Sequence, residues 1–171
     1  MRPISLIGDD VLASLEQEAM SSPSGAIVEV GVYKGGSAYY LNNVASVRKM
    51  PLYLFDTFQG QPYSSSVDSH KVGDFKEVLV TEIVDRFPDA IVIEGIFPQS
   101  LWEIGPVGFA HLDCDQYQSY RESCAALEPM MAKGGIMWFD DYCLPGAKKA
   151  IDEMYGDRLI PCIGGKVKVV F

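Results

Sequence analysis

The chain has 171 residues, 48% of them hydrophobic, which suits one domain over residues 1–171 that buries a sizeable core without disulfides or a structural metal. Its formal net charge of −9, with no Lys/Arg run anywhere, opposes a polyphosphate backbone and excludes nucleic acid as the expected partner. The four cysteines, Cys114, Cys124, Cys143 and Cys162, form neither a C-x-x-C pair nor a Cys/His cluster of zinc-finger spacing, so reduced thiols in a cytoplasmic protein are expected.

Met1 to Asp10 lacks the apolar core and small-residue cleavage site of a signal peptide, and no apolar stretch approaches the ~20 residues a bilayer span needs, so no membrane partner is expected. Asp9 or Asp10 is placed to cap a short helix over 9–20, ended by Ser21-Ser-Pro-Ser-Gly25. Ala26 to Val30 is an apolar, β-branched run stopped by Gly31 and reads as a buried strand. Gly35-Gly36-Ser37 opens a helix to about Arg48, and Pro51 to Phe55 is a second buried strand ending at Asp56. Thr57 to Gly73 reads as a long loop of the kind that is functional or mobile. Asp74 predicts the cap of a helix over 75–87, where Val78, Leu79, Ile83 and Phe87 recur near helical spacing.

Ala90 to Ile93 and Val107 to Leu112 read as the third and fourth strands, the fourth running into Asp113-Cys-Asp115. A helix is predicted over 119–131, with Lys133-Gly-Gly135 as its stop, then a fifth strand over 136–139 ending in Asp140-Asp141. A helix over 145–155 precedes two closing strands, 159–163 and 167–171, joined across Gly164-Gly165 as a hairpin, so that one of them runs antiparallel. Strands alternating with helices predict an α/β domain with a mostly parallel sheet, whose ligands sit beyond the carboxyl ends of the strands. Four of the five core strands end at or near an acid: Glu29, Asp56, Asp113 and Asp140.

Glu29-Val-Gly-Val-Tyr-Lys-Gly-Gly-Ser37 is a glycine-bearing turn from strand to helix. It matches neither the G-x-G-x-x-G nor the G-x-x-x-x-G-K-[ST] pattern, both of which cradle phosphates. Gly31 lets the backbone turn sharply, and Gly35, Gly36 and Ser37 offer N–H groups at a helix start. A ligand bearing a carboxylate and a sulfonium fits such a looser turn beside an acid, and Asp56 is placed to accept hydrogen bonds from ribose hydroxyls.

Asp113 and Asp115 lie two apart, so an extended segment puts both on one face, and Asp140 and Asp141 follow Asp113 by 27 and 28 residues at the next strand's tip. Carboxylates held together raise one another's pKa unless a cation neutralises them, and an all-oxygen set favours magnesium, manganese or calcium over zinc. One carboxylate left off the metal can serve as general base. His111 reads as a half-buried strand histidine, a further ligand or an acid/base group, and Cys114 and Cys143 as packing residues.

Together with Leu54-Phe-Asp-Thr-Phe-Gln-Gly60, Ile93-Glu-Gly-Ile-Phe-Pro98, His111-Leu-Asp-Cys-Asp-Gln-Tyr-Gln-Ser119, Phe139-Asp-Asp-Tyr142 and Pro145-Gly-Ala-Lys-Lys-Ala-Ile-Asp152, the glycine turn resembles the macrocin O-methyltransferase family, sugar O-methyltransferases of antibiotic pathways. The resemblance covers most of the chain from Gly25 onward. It implies a Rossmann-like class I methyltransferase fold of seven strands, the last antiparallel. It also implies S-adenosylmethionine held by the turn at Glu29, Gly31, Tyr33, Gly35, Gly36 and Ser37, with Asp56 on the ribose. By the same resemblance Asp113, Asp140 and Asp141 hold magnesium, and Asp115 is the catalytic base acting on a small-molecule acceptor such as a sugar. Two departures stand out. Family members carry longer N-terminal helical segments that make subunit contacts in homo-oligomers, against about 24 residues here. Tyr120 stands where the family commonly has a small residue. The competing readings are a metal-dependent glycosyl- or phosphoryl-transferase using Asp-x-Asp, and a non-catalytic small-molecule-binding module of the same fold.

Overall fold

The computed structural model describes residues 3–171; Met1 and Arg2, part of the segment read for a leader peptide, lie outside the described residues. Seven strands form one sheet: β1 (Ala26–Val30), β2 (Leu52–Asp56), β3 (Ile91–Glu94), β4 (Val107–Leu112), β5 (Met131–Phe139), β6 (Ile160–Pro161) and β7 (Val167–Val170). Their order is β3-β2-β1-β4-β5-β7-β6. β1 pairs parallel with β2 and β4, β2 with β3 and β4 with β5, while β7 runs antiparallel to both β5 and β6. This is the sheet that the resemblance implied, last strand reversed.

Strand alternation divides the core in two. On one face Val28, Val30, Ala110, Leu112, Met137 and Phe139 pack against helices α4 (Tyr117–Leu127) and α5 (Pro145–Tyr155). On the other, Ile27, Phe109, Ile136 and Trp138 pack against α1 (Asp9–Ser21), α2 (Gly36–Arg48) and α3 (Val80–Arg86). Glu29, His111 and Trp138 fall on this second face in adjacent register, Glu29 opposite His111 and His111 opposite Trp138. Among the described residues no helix is long and apolar enough to cross a membrane.

The largest differences from the sequence reading are at α3, at the end of α4 and at the start of β5. The helix expected over 75–87 is only Val80–Arg86, because Asp74 does not cap it. The Asp74 carboxylate instead accepts from the Lys71 N–H at 2.8 Å, and Phe75 takes a left-handed backbone (φ 66°) and sets its ring edge-on to Tyr33 and His70. The helix expected over 119–131 runs over Tyr117–Leu127 and tightens into a 3-10 turn, Glu128–Met130. Pro129 at that point lacks the N–H an α-helix would use. Gly134 and Gly135 therefore lie inside β5, at the irregular stretch where Val107 pairs with Met131 but Phe109 with Ile136.

Candidate active site

The adjacency of β4 and β5 fixes the aspartates. Leu112 is in register with Phe139, and the ladder continues one step through the Asp140 N–H to the Leu112 carbonyl at 2.9 Å, so Asp113 and Asp140 leave neighbouring strand tips side by side. The Asp113 N–H likewise donates to the Val30 carbonyl of β1 at 2.9 Å, bringing the glycine turn against the same edge. Gly31 has φ 90°, and a Cβ there would collide with the Asp113 carbonyl oxygen, so the turn requires glycine.

One pocket of about 380 Å3 is lined by Gly31, Tyr33, Gly36, Ser37 and Asp56 at one end and by Asp113, Asp115, Asp140 and Asp141 at the other. Its volume falls in the range of sites for small ligands. Two of the residues expected to bind the cofactor, Gly35 and Glu29, are not among those lining this pocket. Gly35 faces the Phe87 ring, with φ 80° at the cap of α2. Glu29 is corrected from pocket to core: its carboxylate is fully buried, with Oε1 2.8 Å from His111 Nδ1, because alternation along β1 turns it to the α1/α2 face. Ser5, at the start of the chain, lies directly over Gly36, and Ile4 to Ile7 form part of the rim.

Asp56 lines the pocket and also shapes it. Its Oδ2 accepts from the Val32 and Tyr33 N–H groups at 2.7 and 2.9 Å, and its Oδ1 from Phe58 N–H at 2.8 Å. A carboxylate offers about four acceptor sites, so capacity for a hydroxyl donor remains.

Within the cluster, ligand oxygens of Asp113, Asp115 and Asp141 all lie within 4.8 Å of one another. Asp140 stands apart from that triple: its Oδ2 accepts from Lys166 Nζ at 2.7 Å, while its buried Oδ1 has no hydrogen-bond partner among the described residues and lies 4.0 Å from His111 Nε2. Asp115 has a left-handed backbone (φ 57°), and its N–H donates to Asp141 Oδ2 at 2.8 Å. The Gln61 amide donates to Asp115 Oδ2, and His70 Nε2 lies 3.7 Å from Oδ1. Tyr120 is fully buried, with its hydroxyl 2.8 Å from both Asp141 Oδ2 and the Leu112 carbonyl; the side chain that departs from the family pattern is built into the site.

Burial first, then the neighbouring carboxylates, raise Asp113 well above the ordinary carboxylate range and Asp115 to about 8; Asp141 is raised by the same causes. Asp140 is the exception: burial pushes it up, but His111 and Lys166 together outweigh that and hold it below the usual range. Burial lowers His111, and the Asp140 and Glu29 carboxylates more than offset this, leaving it raised to about 9. Three crowded carboxylates, all oxygen donors, are an arrangement that a hard divalent cation relieves further.

The long loop between β2 and α3 closes one wall. Asp68 Oδ1 accepts from the Tyr117 N–H at 2.8 Å and abuts Gly146, where any Cβ would displace it. The Tyr63 N–H donates to Gln116 Oε1 at 2.9 Å, and the Gln116 amide returns a bond to the Tyr63 carbonyl. Gln61, Asp68, Gln116, Tyr120 and Lys166 were not foreseen as site residues. Only Lys166 left a usable signal, because the antiparallel hairpin that ends the chain puts it opposite Asp140.

The macrocin O-methyltransferase (TylF) family model matches residues 4–162. The 8-demethyl-8-(2,3-dimethoxy-alpha-L-rhamnosyl)-tetracenomycin-C 4'-O-methyltransferase of Streptomyces olivaceus is 24% identical over 169 residues, 86% of this chain and 64% of that protein. The chain spans about three fifths of the length of the curated relatives it matches. The O-methyltransferase NovP superposes with a TM-score of 0.85 at 22% identity, covering 97% of this chain and 81% of that one. An O-methyltransferase from Bacillus cereus in complex with SAH superposes with a TM-score of 0.65 at 13% identity, covering 99% of this chain and 84% of that one. At these identities the structural likeness establishes the fold.

Proposed function

The chain belongs to the macrocin O-methyltransferase family, and from that premise we propose that it transfers a methyl group from S-adenosylmethionine to a hydroxyl of a sugar or another small diol-bearing acceptor, assisted by a divalent cation. The observation that carries this reading is that the glycine turn, Asp56 and the four aspartates line one pocket. A family relative named for a rhamnosyl substrate and a neighbour of the same fold holding SAH support the acceptor class and the cofactor.

The pocket suits the cofactor: backbone N–H groups at Gly36 and Ser37 open a helix toward a carboxylate, and Asp56 stands where ribose hydroxyls would donate. The aspartates suit magnesium, manganese or calcium by donor type. Asp113, Asp140 and Asp141 would hold the cation; Asp113 and Asp141 belong to the close set of carboxylate oxygens, and Asp140 borders it between His111 and Lys166. When bound, the cofactor supplies an electrophilic methyl on a sulfonium leaving group and the cation lowers the pKa of an acceptor hydroxyl. Asp115 takes the hydroxyl proton. Gln61 fixes its Oδ2, leaving Oδ1 for that proton. The closed loop and the strand tips hold the two reactants together and exclude water.

The test is methyl transfer from labelled S-adenosylmethionine to a panel of glycosides with vicinal hydroxyls, with magnesium and with chelator. We expect transfer to at least one diol, lost on chelation and restored by metal. Full transfer in chelator removes the cation from the reading, and S-adenosylmethionine that neither binds nor reacts removes the reading itself.

A further inference from the structure

The hairpin that closes the chain performs a task beyond completing the sheet. β7 runs antiparallel to β5 with Val167 opposite Phe139, so one step further places Lys166 opposite Asp140. The approach is held by a tight turn in which Gly164 and Gly165 take φ 68° and 73°, and by the Cys162 N–H donating to the Lys166 carbonyl at 2.8 Å. From there the Lys166 ammonium enters the same pocket as the aspartates and meets Asp140 Oδ2 at 2.7 Å.

This is not a surface pair. The side chains are 15% and 7% exposed, and the ammonium that meets Asp140 lines the same pocket as Asp113, Asp115 and Asp141. Ion pairs in open solvent contribute little, whereas a charge removed from a buried pair leaves its partner uncompensated. The influence of Lys166 reaches past Asp140: its positive charge lowers the Asp115 and Asp141 carboxyls too, although burial and the other aspartates dominate both.

Resting on the reading that the aspartates hold a divalent cation, we propose that Lys166 is a built-in counter-ion of the cluster: its ammonium shares Asp140 with the metal, lowering metal affinity, and it keeps the folded chain intact when the cluster carries no metal. The physical basis is additive charge. A fixed +1 beside the cluster repels an incoming dication and has already neutralised part of the field that attracts it. The same +1 relieves repulsion among the carboxylates when they are alone.

The experiment is calorimetric titration with Mn2+ of the parent chain, Lys166→Gln and Lys166→Arg, with thermal melts of each in chelator. Glutamine keeps a hydrogen-bond donor toward Asp140 without the charge, and arginine keeps the charge. We expect Lys166→Gln to bind Mn2+ roughly tenfold tighter than the parent, Lys166→Arg to match the parent, and Lys166→Gln alone to melt lower in chelator and regain its Tm with Mn2+. Should Lys166→Gln be unstable in chelator, its Tm rise per added Mn2+ is compared with the parent's and is larger. Mn2+ binding by Lys166→Gln that is equal to or weaker than the parent's, with the parent binding well, overturns the counter-ion role and leaves the metal reading standing. Mn2+ binding in none of the three overturns both.

Discussion

Asp115 occupies a left-handed backbone position that asparagine tolerates and most side chains resist. Asp115→Asn is therefore expected to fold and bind cofactor like the parent while losing turnover at least a hundredfold, whereas Asp115→Ala also loses about 1 kcal/mol of stability. Wild-type turnover in the asparagine variant would remove Asp115 as the base. Tyr120 is tied to the cluster through Asp141, so Tyr120→Phe should cost roughly 1–3 kcal/mol, as a buried hydrogen-bonding partner is lost. It should also weaken metal binding, both readable in denaturant melts and Mn2+ titration. Glu29 shows the limit of reading residues one at a time. An acid beside a glycine turn suggests a ligand contact, yet period-two alternation along β1 sends this one into the core against His111. Glu29→Gln is expected to lower stability by a few kcal/mol and leave cofactor affinity nearly unchanged; a large loss of affinity in a stable variant would return Glu29 to the pocket.

The strands were the legible elements, because Ala26 to Val30, Leu52 to Phe55 and Val107 to Leu112 are mainly apolar runs bounded by turn residues, broken only by Glu29, Gly108 and His111. The adjacency of β4 and β5 also followed from the single helix between them, and the reversed last strand from the resemblance. The α4–β5 boundary was misread because Gly134 and Gly135 resemble a helix stop, whereas Pro129 had already ended the helix and the glycines serve an irregular strand pairing. The loop after β2 was legible only as a loop. Its form rests on contacts such as Asp68 to Tyr117 and Tyr63 to Gln116, between positions some fifty residues apart, which leave no local period. Breaking one such contact should free the loop without unfolding the sheet. Asp68→Ala is expected to speed proteolytic cleavage within 57–79 several-fold and raise the KM for the acceptor, with Tm changed little; unchanged cleavage would show that the loop is held elsewhere.

Across the whole molecule, the aspartate cluster couples stability to pH. Asp115 is raised from 3.8 to about 8 in the folded chain, and Asp113 and Asp141 are raised as well, so the folded state binds protons that the unfolded chain releases. That stabilisation is fully present below the ordinary carboxylate pKa and is lost as pH rises toward 8. Asp140, held low, acts oppositely, but only at the acid end. In chelator, Tm should therefore fall between pH 5 and pH 8, and saturating magnesium should flatten the fall; a Tm that rises with pH in chelator would contradict the cluster's electrostatics.

The proposed function requires that the glycine turn and the carboxylates serve one ligand pocket. Calorimetric titration with S-adenosylhomocysteine, with and without magnesium, addresses that directly. The expected result is one equivalent bound by the parent, with affinity lost in Asp56→Ala and retained in Asp115→Asn. No heat of binding by the folded parent under either condition would contradict it.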